Sequence, residues 1–408
     1  MNLLLALAIL FVGAIARVPG IVAVGVVLVA IALARSAWTR AGSAIVAYQR
    51  GIATNRAVYG DEIELAVSVH NRGPLPLPWV KTSDALGRGV RVRHRTLPGE
   101  EPRTGALDNG WTLGPFEKVV RRFAILADRR GVFELGPLTV AAGDALGLSL
   151  PVHEEAGRSR YVVRPRMVAV RGLGEARDWE GLRRARHGLV EDATRFAGVR
   201  PYRPGDPLRH VHWPATARTG QPVTKRFDPS RRRDVLLAVD LRLPRRAGMT
   251  LAERDAGLEG LIVATMSIAR ALREDDAAVG LALAGFAGQA GRSHLFLPPN
   301  ATGACLGLIG DVLARVDAVP SVPFSQILGL ASRRIPPGTT VITIGAVDPA
   351  DYLPALRQLR RLGFGVLHVA FGPGAAEIVG QARAAGIAAR GADLDGPWAT
   401  STTLEVSA

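Results

Sequence analysis

The sequence has little cysteine and almost no lysine. Cys305 is the single cysteine among 408 residues, so no intrachain disulfide can form, which fits a reducing compartment. The formal net charge of +15 comes almost wholly from arginine, because only three lysines occur. Aromatic residues make up 5% of the chain, which gives little interleaving of rings and basic residues and weakens the case for single-stranded nucleic-acid binding. A basic chain still favours an acidic neighbour, whether anionic lipid, nucleic acid or protein.

The motifs of catalysis and of cofactor binding are also missing. No nucleophile–base pair, no histidines at metal-binding spacing and no glycine-rich phosphate loop stand out. We therefore expect no enzymatic activity and no cofactor. A hydrophobic content of 48% excludes a disordered chain, and 408 residues suit two or three domains with substantial cores.

Residues 3–34 are apolar apart from Arg17. One straight helix of this length would measure about 48 Å, too long for a hydrocarbon core of about 30 Å. A break near Arg17 predicts a two-helix membrane hairpin over residues 1–36, although each half is short for a full span. Basic residues follow the second half and none precedes the first, which predicts a cell-membrane location with the bulk of the chain in the cytoplasm. A cleaved signal peptide is the alternative, but the basic region that begins such peptides is missing.

The remainder of the chain predicts a fold of the α/β plus β class. Residues 43–164 contain period-two stretches such as Glu62–Val69, separated by turn residues, which indicates an antiparallel β sandwich. Residues 165–230 form an irregular basic connector. In residues 231–408 apolar strands alternate with helices, which predicts a doubly wound, Rossmann-like parallel sheet.

The connector carries a dense motif between Tyr202 and Arg218. Asp206 follows a Pro-Gly turn and precedes Pro207, which predicts that its carboxylate caps a short helix. Arg209 and His212, three residues apart, would share one face of that helix. Its candidate site residues are Tyr202, Pro204, Gly205, Asp206, Arg209, His212, Trp213 and Arg218. Two interpretations stay open: a buried structural turn, or a surface that recognises a partner.

This motif resembles the signature of a family of bacterial membrane proteins catalogued as domain of unknown function 58. The shared pattern is Pro-Gly-Asp, then an arginine, then Val-His-Trp, and finally Thr-Ala-Arg. A second, weaker family motif lies upstream. Its residues are Arg130, Gly131, Gly136, Pro137, Asp144 and Gly147. Ala145 and Leu146 replace the Pro-Phe pair that the family shows there.

The resemblance implies a von Willebrand factor A-like C-terminal domain and a role in partnership. Such proteins are typically encoded beside MoxR-type AAA+ ATPases and often beside transglutaminase-like membrane proteins. The chain is therefore expected to be a membrane-anchored, cytoplasm-facing adaptor or scaffold in complex assembly or envelope-related processes. Its expected partners are the ATPase, the transglutaminase-like protein and membrane lipid, whereas nucleic acid is not expected.

The resemblance also raises the question of a metal. Von Willebrand A domains often hold Mg²⁺ with an Asp-x-Ser-x-Ser motif, and hard cations need such oxygen ligands. Here Asp240 is followed by Arg242 and Pro244 in place of the two serines, so we expect no metal and a degenerate site at Asp240. Asp240 would instead pair with Arg242 or Arg218. The alternative functions are a Mg²⁺-dependent von Willebrand A-type protein binder, or a basic membrane-associated binder of nucleic acid or lipid.

Overall fold

The structure is a computed structural model of the whole chain. It describes residues 3–74, 76–95, 101–143, 152–155, 157–173, 191–203, 206–229, 233–244, 248–284, 294–316, 322–336 and 338–407. The chain divides into two compact units, Met1–Arg164 and Pro165–Ala408. The finer predicted division into residues 1–36, 43–164, 165–230 and 231–408 stays a prediction.

The first unit begins with two helices, α1 (Leu3–Ala16) and α2 (Pro19–Ile45). They are separated at Arg17, whose φ of 54° lies in the left-handed region. The helices approach closely because glycines face the neighbouring backbone. A Cβ atom on Gly25 would lie only 2.6 Å from the Cα of Leu10.

These helices correct the expectation for the N-terminus. Within the described residues, no helix is both long enough and apolar enough to cross a membrane. The 14 residues of α1 span only about 21 Å, and the apolar part of α2 before Arg35 spans about 24 Å, against a hydrocarbon core of about 30 Å. The fold-class prediction is therefore wrong in its two-helix membrane hairpin. The predicted cell-membrane location, with the bulk of the chain in the cytoplasm, stays a prediction.

The strands of the first unit form two sheets among the described residues. The strands are β1 (Val46–Ile52), β2 (Arg56–Val58), β3 (Glu62–Asn71), β4 (Leu77–Leu86), β5 (Arg91–His94), β6 (Ala106–Leu113), β7 (Lys118–Leu126), β8 (Gly131–Gly143), β9 (Val152–Glu155) and β10 (Ser159–Arg164). One sheet has the order β1-β3-β7-β5, and the other has the order β2-β10-β8-β4-β6 with β9 beside β8. The pairs are antiparallel apart from β2 with β10.

The two sheets share one apolar core, which makes this unit a sandwich. Alternate residues such as Leu65 of β3 and Leu135 of β8 point into the same cluster. Arg50 of β1 also crosses this interior to form a buried ion pair with Asp84 of β4. The Tyr48 hydroxyl donates to the same carboxylate at 2.7 Å. Burial raises the pKa of Asp84, and the hydrogen bonds from Tyr48 and Arg50 oppose that rise.

The second unit alternates strands with helices. Its strands are β11 (Ala169–Arg171), β12 (Glu191–Pro201), β13 (Val223–Pro229), β14 (Asp234–Asp240), β15 (Ala278–Ala284), β16 (His294–Asn300), β17 (Thr340–Gly345), β18 (Gly365–Phe371), β19 (Ala388–Leu394) and β20 (Thr403–Ser407). Its helices are α3 (Trp213–Thr219), α4 (Leu251–Glu274), α5 (Cys305–Leu313), α6 (Phe324–Ser332), α7 (Leu353–Arg361) and α8 (Ala375–Ala384). A 3₁₀ turn covers Leu208–His210.

Eight of these strands form one sheet in the order β11-β20-β19-β18-β17-β14-β15-β16. The run from β19 through β18, β17 and β14 to β15 is parallel, and β16 and β20 add antiparallel partners. Strand β14 is buried on both faces. Leu237 lies in the core shared with α4 and α5, whereas Leu236 lies in the core shared with α6 and α7. Continuous apolar strands are required because helices cover both sides of the sheet.

Candidate docking site on the signature segment

The signature segment, defined as residues 202–218, is framed by a two-stranded ribbon. Strands β12 and β13 pair in antiparallel register, with Arg200 opposite Thr224. The Tyr202 N–H donates to the Pro222 carbonyl at 2.9 Å, and the His212 N–H donates to the Val223 carbonyl at 2.9 Å. The start and the middle of the segment are therefore tied to the same side of the ribbon.

Asp206 is the centre of a hydrogen-bond network that holds the segment in place. Arg200 donates to its carboxylate through Nη1 at 2.7 Å and Nη2 at 2.8 Å. The Arg203 N–H donates at 2.9 Å, and the Thr224 hydroxyl at 3.3 Å. These hydrogen bonds, led by the one from Arg200, lower the pKa of Asp206 to about 2. The carboxylate is thus committed to internal contacts.

The predicted helix cap at Asp206 is wrong. Pro207 has an extended backbone with ψ of 127°, and the turn that follows it has no side-chain cap. His212 is the residue that caps α3, because its Nδ1 accepts from the Ala215 N–H at 3.1 Å. Pro214 then lies in the first turn of α3 and starts the helix instead of interrupting it. Gly220 closes α3 in the left-handed region with φ of 71°, a conformation that glycine adopts readily at helix ends.

Four other side chains of the motif are exposed to the solvent. The side chains of Leu208 and Trp213 are 71% and 67% exposed, and those of Arg209 and Arg218 are exposed as well. Within the described residues, neither of these two arginines forms an ion pair. Single exposed apolar side chains are common on proteins, but two of them on a segment held by internal hydrogen bonds make this segment a candidate docking surface.

The structure thus separates the predicted site residues by role. Asp206 and His212 brace the segment, Tyr202 is half-buried, and Arg209, Trp213 and Arg218 face the solvent. Pro204 and Gly205 lie outside the described residues. Sequence reasoning missed Arg200 and Thr224, both of which bond to Asp206. Their signal is weak, because they lie in strands whose pairing the sequence does not reveal.

The upstream motif has a structural part in the first unit. Gly136 has φ of 101°, and a Cβ atom there would lie 2.6 Å from the Gly157 carbonyl and 3.3 Å from the Arg50 guanidinium. The glycine therefore makes room for the buried Arg50 side chain. Arg130 precedes β8, which begins at Gly131 and contains Gly136 and Pro137. Asp144 and Gly147 of this motif lie outside the described residues.

Asp240 ends strand β14 at the carboxyl edge of the sheet, and it pairs with Arg242 as anticipated. Arg242 Nη2 donates to Asp240 at 2.7 Å and Nε donates at 2.9 Å, while Nη1 donates to Asp351 at 2.6 Å. The hydrogen bonds that Arg242 donates to Asp240 and then to Asp351 raise the pKa of its guanidinium. Both Asp240 oxygens hold a cationic side chain, so this donor set does not fit a Mg²⁺ ion. Among the described residues, no group of three acidic, histidine or cysteine side chains is arranged to hold a metal.

The geometry defines the class of this protein: it has one β unit and one α/β unit, and the α/β unit carries an exposed segment that is held by hydrogen bonds. Residues 198–321 match a family described as "Protein of unknown function DUF58". The predicted family resemblance is confirmed for that stretch, which contains the whole signature segment. The von Willebrand A-like character of the C-terminal domain stays a prediction.

A curated relative and several solved structures are also similar. The uncharacterized protein YeaD of Bacillus subtilis (strain 168) is 24% identical over 238 residues, which cover 55% of this chain and 52% of YeaD. The chain thus spans about half the length of this relative. A CARDB domain from Pyrococcus furiosus is 15% identical with a TM-score of 0.20, covering 29% of this chain and 91% of that domain. A non-cellulosomal cohesin from Archaeoglobus fulgidus is 11% identical with a TM-score of 0.20, covering 28% and 90%. At such scores the two structures support no conclusion about fold or function.

Proposed function

We propose that this chain is a non-catalytic adaptor protein that binds a MoxR-type AAA+ ATPase through the outward side of the signature segment. The proposal rests on one observation. Two exposed apolar side chains, Leu208 and Trp213, lie on a segment whose backbone is held by internal hydrogen bonds. A docking surface needs both features, because a rigid segment loses little conformational entropy when it binds.

The residues of the motif fall into a hydrogen-bonded group and an exposed group, and this separation supports the proposed role. If the whole motif served only the fold, its indole and its arginines would be expected to make internal contacts. Instead, Asp206 and His212 accept the hydrogen bonds that hold the segment, while the side chains of Trp213 and Arg209 remain exposed. Tryptophan and arginine are, with tyrosine, the side chains most enriched among residues that dominate binding energy at protein interfaces.

The rest of the proposal follows the family resemblance. Residues 231–408 are proposed to form a von Willebrand A-like domain, which agrees with their doubly wound sheet and helices on both faces. A transglutaminase-like membrane protein is a second proposed partner, in complex assembly or envelope-related processes. Because the ATPase works where ATP is supplied, the proposal places the signature segment in the cytoplasm.

The alternatives have less support. A Mg²⁺-dependent binder would need free oxygen ligands at Asp240, and Arg242 occupies them. A nucleic-acid or lipid binder is favoured only by the net charge of +15, which is spread along the chain as arginine.

The test is a binding measurement with purified full-length protein and a purified MoxR-type ATPase from the same genome. Isothermal titration would compare the wild type with a Leu208→Ala/Trp213→Ala variant. Loss of two central apolar anchors should weaken binding by about 100-fold, as expected of dominant interface residues. The melting temperature should stay unchanged, since both side chains are exposed.

A matched control removes exposed leucines from the same unit but away from the signature segment. Leu251 and Leu362 are 79% and 52% exposed, so Leu251→Ala/Leu362→Ala deletes comparable apolar surface. This control should bind like the wild type. Equal affinities for all three proteins would refute docking at the signature segment, and no binding by the wild type would refute the choice of partner.

A further inference from the structure

The residues around the exposed indole carry charge of one sign. Between Tyr202 and Gly220 the sequence has three arginines, Arg203, Arg209 and Arg218, but a single acidic residue, Asp206. That carboxylate already accepts hydrogen bonds from both terminal nitrogens of Arg200. It therefore offers no negative charge to a partner, and the outward side of the segment is positive.

Helix α3 places part of this charge beside the indole. Trp213, Pro214, Ala217 and Arg218 are exposed, whereas Ala215 and Thr216 lie half-buried towards β13. At about 100° per residue, these four positions fall within one sector of about 140°, whereas Thr219, which is also exposed, lies outside it. Ala217, which shares this sector, carries only a methyl group. Thr216 holds the opposite face, because its hydroxyl accepts from the Val223 N–H at 3.1 Å.

A second basic group lies on the turn that precedes the helix. Arg209 is exposed beside Leu208, and its Nε lies 3.4 Å from His210 Nε2. The turn is fixed at both ends, by the Asp206 network before it and by the His212 N–H bond to the Val223 carbonyl after it. The outward surface thus contains two apolar side chains, each with a guanidinium nearby in the sequence.

We infer that the signature segment recognises an acidic stretch of its partner protein, with carboxylates on Arg209 and Arg218 and an apolar side chain against Leu208 and Trp213. This inference rests on the proposed adaptor function and names the chemistry of the partner's surface. Paired carboxylates match the planar guanidinium donors, and complementary charge sets both specificity and the rate of association.

A protein partner fits this surface better than a nucleic acid. Single-stranded nucleic acids are held by successive aromatic rings on which bases stack. Between Tyr202 and Phe227 the sequence offers one such ring, that of Trp213, apart from two histidines. One indole flanked by arginines is suited to a single apolar anchor within an acidic segment.

The experiment is a charge reversal with a matched control, measured against the purified MoxR-type ATPase at about 50 mM and about 300 mM NaCl. The test variant is Arg209→Glu/Arg218→Glu. The control, Arg254→Glu/Arg361→Glu, changes the net charge equally at two exposed arginines of α4 and α7. The test variant should lose at least about tenfold in affinity at low salt and the control less than about threefold. Wild-type affinity should fall at the higher salt concentration.

Each other outcome is decisive. Binding that all three proteins share equally, or that salt does not weaken, overturns the acidic-partner inference and leaves the adaptor proposal intact. Equal loss in the test variant and the control also overturns it, because net charge alone would then explain the effect. Preferential binding of a mixed-sequence single-stranded oligonucleotide, lost in the test variant, would replace the protein partner with nucleic acid. No binding of the ATPase by the wild type at either salt concentration overturns the adaptor proposal and the inference together.

Discussion

Arg200 and Asp206 form a two-point ion pair that closes the loop between β12 and α3. The two donor–acceptor distances are 2.7 Å and 2.8 Å, and the side chains are 34% and 15% exposed. Such paired hydrogen bonds fix orientation as well as distance. The pair therefore anchors the start of the loop that leads to the exposed residues Leu208 and Trp213.

Replacing Asp206 with asparagine should loosen the segment without unfolding the unit. The Arg203 N–H and the Thr224 hydroxyl can still find an acceptor, but Arg200 loses its counter-charge. We expect faster amide hydrogen exchange across Tyr202–Val223 and a melting temperature within a few degrees of the wild type. An unchanged exchange rate in this stretch would contradict a bracing role for Asp206.

The same pair predicts a dependence on pH. The pKa of Asp206 is lowered from 3.8 to about 2 in the folded protein, so the bracing is fully present above pH 3.8. It should be lost as the pH falls through about 2. Hydrogen exchange of the segment, compared with that of the Asp206→Asn variant, should lose its difference in that range.

Removing the His212 ring should destabilise α3 at its first turn. The ring accepts from the Ala215 N–H, and loss of a helix N-cap costs about 1 kcal/mol. We expect His212→Ala to raise the local opening of α3 by this amount, measured by native-state hydrogen exchange. His212→Ser should restore most of the protection, since serine is a strong capping residue. Failure of serine to rescue would mean that the ring acts through packing instead.

Arg242 should matter far more to stability than its exposed partner does. The Asp240 side chain is only 3% exposed, so Arg242→Met would leave a buried carboxylate without a counter-ion, at a cost of about 3–5 kcal/mol. Asp351 is 53% exposed, and Asp351→Asn should cost less than about 1 kcal/mol. Urea denaturation of the two variants would check the ranking. Equal costs would mean that Asp240 is neutralised by another group.

His368 should make the second unit sensitive to mild acid. The ring is fully buried on β18, its Nδ1 lies 2.9 Å from the Thr343 hydroxyl, and burial lowers its pKa from 6.5 to about 4. Because the folded pKa is depressed, stability is intact above about pH 6.5 and declines as the pH falls towards 4. The loss reaches about 3 kcal/mol when both pKa values have been passed. Urea denaturation of His368→Gln between pH 7 and about pH 4 should show a flatter profile than the wild type; parallel profiles would exclude the histidine as the cause.

Long periodic stretches made much of the fold predictable. The sequence predicts a strand over Val235–Asp240 and a helix over Leu251–Arg273, and the structure has Asp234–Asp240 and Leu251–Glu274. Continuous apolar runs and helical spacing are strong local signals. The sequence does not predict the strand Thr403–Ser407, because its half-buried pattern is short and its pairing with β11 and β19 arises only from tertiary contact.

The candidate site was harder to predict, because its hydrogen bonds depend on how strands β12 and β13 pair, which no local sequence pattern reveals. A Pro-Gly-Asp-Pro sequence is typical of a helix start, and it suggested a cap at Asp206. The structure gives Asp206 to Arg200, because a charged two-point bond is stronger than a neutral cap. The predicted membrane hairpin is wrong because the apolar composition of residues 3–34 does not ensure helices long enough to cross a membrane.

The most direct test of docking is hydrogen exchange of the full-length protein with and without the MoxR-type ATPase. Helix α3 has only seven residues, so its amides open readily and any added protection is measurable. Docking at the signature segment predicts slower exchange across Leu208–Arg218 on addition of the ATPase, with no change over the core strand β14. Protection that falls elsewhere and leaves Leu208–Arg218 unchanged would contradict it.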